Sequence, residues 1–189
     1  GTQGYLHVGA LSALRTTLGD VEYGRWRSEL RGVAGCSAGS IGVLSLLLDV
    51  EAEDVHRAIP LRGLASRLTC DLHNAWKCMG ASSVDVVRDA VVAILHRGGL
   101  SESVTMEKLY AFTRVECVFV CTSLNRRRCV RITHASHPRV RVVDAIAASC
   151  CIPGLFRPVC LDGEYMVDGC LLESIPSPFP ERDTLFIAI

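Results

Sequence analysis

Gly35-Cys36-Ser37-Ala38-Gly39 sets a serine among small residues between two apolar runs, and this junction limits what the chain can fold into more than any other stretch. Before it, Arg31-Gly32-Val33-Ala34 leads into a short buried strand. After it, Ser40-Ile41-Gly42-Val43-Leu44-Ser45-Leu46-Leu47-Leu48 is long and apolar enough for a core helix. A strand and a helix joined so closely need a sharp turn, and a serine at its apex holds its hydroxyl clear of the backbone, as in a nucleophile elbow. Composition alone yields Gly-x-Ser-x-Gly in roughly one chain in fifteen of this length, so the flanking elements carry the inference. The same residues also suit a strand-to-helix turn without chemistry.

A serine hydroxyl is a weak nucleophile until a neighbouring base takes its proton. The first turn of the following helix would favour the negative charge that develops beside Ser37 when a carbonyl is attacked. The base is harder to find. Of the six histidines, none lies beyond His137, although the usual α/β-hydrolase order places a histidine late in the chain. His134 and His137 flank a turn before Pro138 and read as surface residues. Asp168 follows the short strand Tyr165-Met166-Val167 and precedes Gly169, whose missing side chain lets a carboxylate sit close to another loop. An Asp-Gly pair is equally at home in an ordinary turn.

The rest of the chain alternates helical and strand periods. Leu6, Val8, Leu11, Leu14 and Leu18 predict a helix over Tyr5 to Leu18, ended by Gly19-Asp20. Ala38 to Asp49 is the elbow helix, and Glu51 to Ile59 a short helix stopped by Pro60. Leu61 to Ala81 has weak periodicity. Val84, Val87, Val91, Ile94 and Leu95 form the apolar stripe of a helix terminated by Gly98-Gly99. A short helix falls within Leu100 to Thr113. Val115 to Cys121 and Cys129 to Thr133 read as strands, Val142 to Ala148 as a helix broken by Pro153-Gly154, Val159 to Leu161 and Tyr165 to Val167 as strands around Asp162-Gly163, and Leu185 to Ile189 as a last strand. This alternation predicts an α/β sheet with helices on its faces.

At 189 residues and zero formal net charge, the chain reads as one domain, 1–189, with no nucleic-acid partner. The ten cysteines sit inside apolar runs and contain no C-x-x-C pair, so they read as buried free thiols in a reducing, intracellular compartment, with no metal site. Lys77 and Lys108 are the only lysines. Arg126-Arg127-Arg128 with Arg131 suits either a solvated loop or contact with phosphate head groups. No apolar run approaches the ~20 residues that span a bilayer, so membrane contact is expected to be peripheral. The chain opens at Gly1 without a methionine, directly in a glycine-bearing loop, and reads as a piece truncated at both ends.

The Ser37 elbow, Asp168-Gly169 far downstream and His7-Val8-Gly9-Ala10-Leu11 at the start together resemble the patatin-like phospholipase family. Val143 to Phe156, followed by Asp162-Gly163-Glu164-Tyr165-Met166-Val167-Asp168-Gly169, is similar to that family's approach to its catalytic aspartate. The resemblance implies a three-layer α/β sandwich with a mostly parallel sheet and helices on both faces. It implies a Ser37–Asp168 dyad without histidine, acting on phospholipid or other lipid esters with no calcium or cofactor. It also places an oxyanion loop on Gly1, Thr2, Gln3 and Gly4, with Gln3 where the family usually has arginine. Cys170 stands where a second glycine usually follows the aspartate. These departures leave a catalytically impaired lipid-binding or regulatory module as the alternative.

Overall fold

Why the chain alternates is visible in what each element buries. In the computed structural model, which describes residues 4–58, 77 and 79–179, α1 (Gly4–Glu29) opens the chain. As predicted, the first helical segment breaks at Gly19, which takes the non-helical φ 76° and ψ 158°; a second segment, not expected from the sequence, follows across this kink to Glu29. Only glycine enters that conformation cheaply. β1 (Gly32–Cys36) and α2 (Ala38–Leu48) then form the predicted strand–turn–helix, with α3 (Ala52–Ala58) after it. α1 packs across α2 where Gly42 leaves room for His7; a Cβ at Gly42 would come within 3.1 Å of the His7 Cβ.

The predicted stripe appears in α4 (Asp85–Arg97), which buries Ala90, Val91, Ile94 and Leu95 and is capped by Gly98. α5 (Met106–Thr113) starts where the Thr105 hydroxyl accepts from the Lys108 N–H, a side-chain cap for one orphan donor of the first turn. α6 (Val142–Ser149) is buried along most of its length. One core cluster joins these helices to Val33, Cys117 and Phe119 of the sheet, and each large apolar side chain so buried contributes about 1.5–3 kcal/mol. Cys36, Val118 and Val120 form a smaller cluster, packed with Ala34, Cys129 and Phe179.

The main sheet is built around β3 (Glu116–Ser123), with β4 (Arg128–Ile132), β6 (Val159–Leu161) and β7 (Glu164–Asp168) besides β1. It is mixed rather than mostly parallel: β1 runs parallel to β3, whereas β3–β4, β3–β7 and β6–β7 are antiparallel. The short hairpins around Asn125 and Asp162-Gly163 impose the reversal of β3–β4 and β6–β7, because a tight turn can join only antiparallel strands. A second, parallel pair escaped the sequence reading. β2 is Gly80–Ser82 and β5 is Gly154–Phe156, and Gly80 lies so close that a Cβ there would meet the Phe156 carbonyl oxygen at 2.2 Å. Three residues without an apolar alternation leave no periodic signal. The strand expected over Leu185 to Ile189 and the stop at Pro60 lie outside the described residues.

Eight described cysteines are free thiols; five are buried, while Cys160 and Cys170 are exposed. No helix among the described residues is long and apolar enough to cross a membrane.

Candidate active site

Strand register brings the two predicted residues together. Along one edge of β3, β1 pairs as far as Cys36 opposite Val120, and β7 takes over at the next position, with Asp168 opposite Cys121. β4 occupies the other edge, where Arg131 and Val130 face the same two residues. The two strands run toward each other, so the carboxyl ends of β1 and β7 meet end to end. Ser37 follows one end and Asp168 closes the other.

At the β1 end, Ser37 adopts φ 52° and ψ −129°, a conformation that a residue with a Cβ enters only at a cost of order 1–3 kcal/mol. Gly35 makes the turn possible, since a Cβ there would lie 2.6 Å from the Ser40 Cα and 2.7 Å from its nitrogen. A serine at a helix N-cap usually spends its hydroxyl on the first-turn N–H groups. Ser37 makes no such cap bond; its Oγ instead donates to Asp168 Oδ2 at 2.6 Å. That length is typical of a hydroxyl donating to a charged carboxylate.

The C-terminus of α6 clamps both partners. Ser149 Oγ accepts the Ser37 N–H at 3.0 Å, lies 2.9 Å from the Ser40 hydroxyl, and donates to the Val120 carbonyl at 2.6 Å. Cys150 Sγ donates to the Ser37 carbonyl at 3.1 Å, and the Cys151 carbonyl accepts the Asp168 N–H at 2.8 Å. Three successive residues thus hold the strained serine and the aspartate. They were not singled out as site residues from the sequence. The available signal was Ser149, which ends the apolar run Ala145-Ile146-Ala147-Ala148 and is wholly buried in the structure, a placement that is unfavourable without hydrogen-bond partners.

Asp168 is 4% exposed, and Oδ1 accepts the Cys170 N–H at 2.9 Å as the chain enters the 3-10 turn Gly169–Leu171. Gly169 is required for contact with the sheet, because a Cβ there would fall 2.5 Å from the Val120 carbonyl oxygen. Further along, Glu173 accepts from Cys129 Sγ at 2.9 Å and from Arg131 at 2.7 Å, tying the turn to β4. Burial, with the Glu173 hydrogen bond and charge, pushes the Cys129 thiol up to about 11, so it remains a protonated donor.

With that geometry in place, the relatives of the chain can be read. The family model described as patatin-like phospholipase matches residues 1–178. The chain belongs to the patatin-like phospholipase family. No curated protein sequence matches it. Among solved structures, VipD from Legionella pneumophila is similar with a TM-score of 0.66 at 15% identity, over 94% of this chain and 45% of that one. At that identity the likeness shows the fold, and this chain spans less than half the length of that protein.

In this patatin-like chain the remaining predicted positions fall as follows. Gly35, Ser37, Asp168 and Gly169 converge at the meeting point of β1 and β7. Gly39 does not share the steric need of Gly35: the nearest described atom to a Cβ there is His7 Nε2 at 3.6 Å, an ordinary contact. Gly1, Thr2 and Gln3 lie outside the described residues, and Gly4 begins α1. Cys170 meets Cys36, with the sulfurs 3.4 Å apart. His134 stacks on Tyr110 with ring centroids 3.8 Å apart, and His137 Nδ1 lies 2.8 Å from the Ser136 hydroxyl. In the arginine cluster, Arg126 pairs with Glu164 and Arg131 with Glu173, so both charges serve the β7 side of the site.

Proposed function

We propose that residues 1–189 form a lipid acyl hydrolase domain in which Ser37 attacks the ester carbonyl and Asp168 is its general base. The observation that carries this reading is the 2.6 Å bond from Ser37 Oγ to Asp168 Oδ2, made by a serine held in a strained conformation by a buried network. Asp168 takes the Ser37 proton as Oγ bonds to the carbonyl carbon, then returns it to the departing alcohol as the ester C–O bond breaks. Water, deprotonated by Asp168, cleaves the acyl-serine in the second half. The Ser40 N–H is taken by the Ser37 carbonyl at 2.9 Å, which leaves the Ala38 and Gly39 N–H groups at the start of α2 as the donors for the developing oxyanion on the serine side. Family resemblance adds the Gly1–Gly4 loop as the other donor group, with Gln3 supplying no fixed charge. The scheme uses protein groups and water alone.

A lipid substrate is supported by the surface next to Asp168. Leu171, Leu172 and Ile175, within seven residues after it, are each 55–57% exposed. An apolar rim of this kind suits a peripheral approach to a lipid surface. Withdrawing both leucines onto lipid would contribute about 1.5–3 kcal/mol each. The double substitution of Leu171 and Leu172 to serine is therefore expected to slow hydrolysis of phospholipid vesicles by at least about tenfold while sparing a soluble short-chain ester. Equal losses on both substrates would remove the surface from the reading.

The central test is labelling by a fluorophosphonate probe together with hydrolysis of phospholipid vesicles. Ser37→Ala is expected to abolish both without changing the melting temperature greatly, and Asp168→Asn to lower turnover by about 10²–10⁴-fold. EDTA is expected to leave turnover undiminished. Near-full activity in either variant would exclude the dyad. Vesicle binding without labelling or turnover would favour the non-catalytic lipid-binding module.

A further inference from the structure

The dyad is flanked by two thiols that the proposed hydrolysis does not use. Cys36 immediately precedes Ser37, and Cys170 follows Asp168 by two residues. Their sulfurs lie 3.4 Å apart, and Cys36 Sγ is 4.0 Å from Asp168 Oδ1. The three donor atoms fall within 4.8 Å of one another. We propose that Cys36, Cys170 and Asp168 form a binding site for a soft divalent cation, Zn²⁺ or Cd²⁺, and that its occupation blocks the dyad.

The spacing fits. A tetrahedral zinc ion with Zn–S bonds near 2.3 Å and a Zn–O bond near 2.0 Å separates two sulfurs by about 3.8 Å and a sulfur from the oxygen by about 3.5 Å. The observed separations, 3.4 and 4.0 Å, differ from these by about half an ångström. The positions are set by the fold and not by flexible side chains alone. Cys36 ends β1 opposite Val120; Gly169 packs so tightly that a Cβ would stand 2.8 Å from Cys36 Sγ; and the Cys170 N–H is fixed on Asp168 Oδ1. Cys170 is exposed and Ser37 partly so, which gives an ion a route from solvent to the buried Cys36.

Ligand chemistry selects the ion. Burial holds both thiols above their ordinary range, Cys36 the more strongly, so an entering ion must displace protons from sulfur. Mg²⁺ and Ca²⁺ prefer oxygen ligands and make weak bonds to sulfur, whereas Zn²⁺ and Cd²⁺ form strong thiolate bonds. On binding, two thiol protons pass to solvent, each sulfur and Oδ1 donates one electron pair, and a fourth position is left for water. A cation on Oδ1 draws electron density from the carboxylate that holds the Ser37 proton, and stands beside the nucleophile. Binding does not depend on the hydrolytic reading; only the resulting inhibition rests on it.

The test uses the full chain, reduced with a phosphine and titrated with Cd²⁺ while the thiolate-to-cadmium charge-transfer absorption is followed. One saturating equivalent is expected. Cys36→Ala and Cys170→Gly are each expected to weaken it by more than about a hundredfold, since loss of an outer partner of a metal ligand alone costs 10–100-fold. Thermal melts check folding, and if Cys36→Ala does not fold, Cys170→Gly, at an exposed side chain, decides. Saturable binding of undiminished strength in Cys170→Gly would place the metal on other cysteines and overturn the proposal, as would absence of saturable binding in the unmodified chain. The separate measurement, with Zn²⁺, is fluorophosphonate labelling of Ser37, expected to slow on addition of one equivalent. Binding without slowed labelling would keep the site and remove its effect on the dyad.

Discussion

Ser37 is held largely by the shape of its own turn, whereas Asp168 is held by partners distant in sequence. On the serine side, Gly35, Ser37 and Ser40 settle the turn within six residues, and the Ser149 and Cys150 contacts, with the bond to Asp168 itself, come from elsewhere. On the aspartate side, the strand is short and its position depends on β3, on the Cys151 carbonyl and on Glu173 reaching back to β4. One arm is a strained turn stabilised by local sterics; the other is an ordinary turn placed by pairing. The first should fail sharply when its shape is altered, and the second should fail gradually as its tethers are cut.

The largest effects on the site are expected at its two crowded glycines. A Cβ at Gly35 would enter the backbone of Ser40, and one at Gly169 the Val120 carbonyl. Overpacking of this kind costs about 1–3 kcal/mol, and backbone atoms cannot rotate away. Gly35→Ala and Gly169→Ala are each expected to lower the melting temperature by several degrees, at about 2–4 °C per kcal/mol for a chain of this size. Gly35→Ala is also expected to abolish probe labelling of Ser37, because the elbow itself is deformed. Gly39→Ala is the control, meeting only an ordinary contact among the described residues, and its stability should hold or rise. A Gly35→Ala protein that melts and labels normally would contradict the local origin of the serine geometry.

Next in size is Ser149→Ala, which removes the acceptor of the Ser37 N–H and the partner of the Ser40 hydroxyl together. Leaving such buried groups without a partner costs about 1–3 kcal/mol. The Cys151 tether of Asp168 runs through the backbone and survives the change. The expected signature is a loss of turnover at temperatures where the variant is still fully folded, with the fold of the β7 side intact by hydrogen exchange. Equal loosening of both arms would show that α6 acts as one rigid support.

The same contrast explains what was legible beforehand. The elbow could be read directly, because its strand, its small residues and its helix are contiguous and each has a local steric cause. Asp168 could not be separated from a common Asp-Gly turn by its neighbours, and only the resemblance singled it out. The reason is physical: Asp168 becomes special through its register on β3, and no local pattern encodes which strand edge a five-residue segment will take. Ser149, Cys150 and Cys151 were hidden for the same reason, since their partners are the backbone atoms of other segments. The β2–β5 pair is too short for periodicity, and the helical segment after Gly19 lies beyond a glycine that does break the helix, as the sequence suggests.

The smallest expected effect comes from cutting the outermost tether of the aspartate arm with Glu173→Gln. Burial pushes the Glu173 carboxyl up, but the hydrogen bonds from Cys129 and Arg131 and the charge of Arg131 outweigh it and hold the group below the ordinary carboxylate range. Because the folded value is depressed, the pairing stabilises the protein above the unfolded pKa, near about 4.3, and that contribution is lost as pH falls through the folded value. Ion pairs of this exposure contribute at most about 1 kcal/mol. The unmodified protein should therefore melt slightly above Glu173→Gln at pH 7, and the gap should close as the pH is lowered below about 4. Turnover should fall only modestly, since Cys170 and Cys151 still hold Asp168. A gap that stays constant across this range would mean that the charge of Glu173 contributes nothing and that the turn is positioned by its backbone bonds alone. In that case, the aspartate arm would be as locally determined as the serine arm.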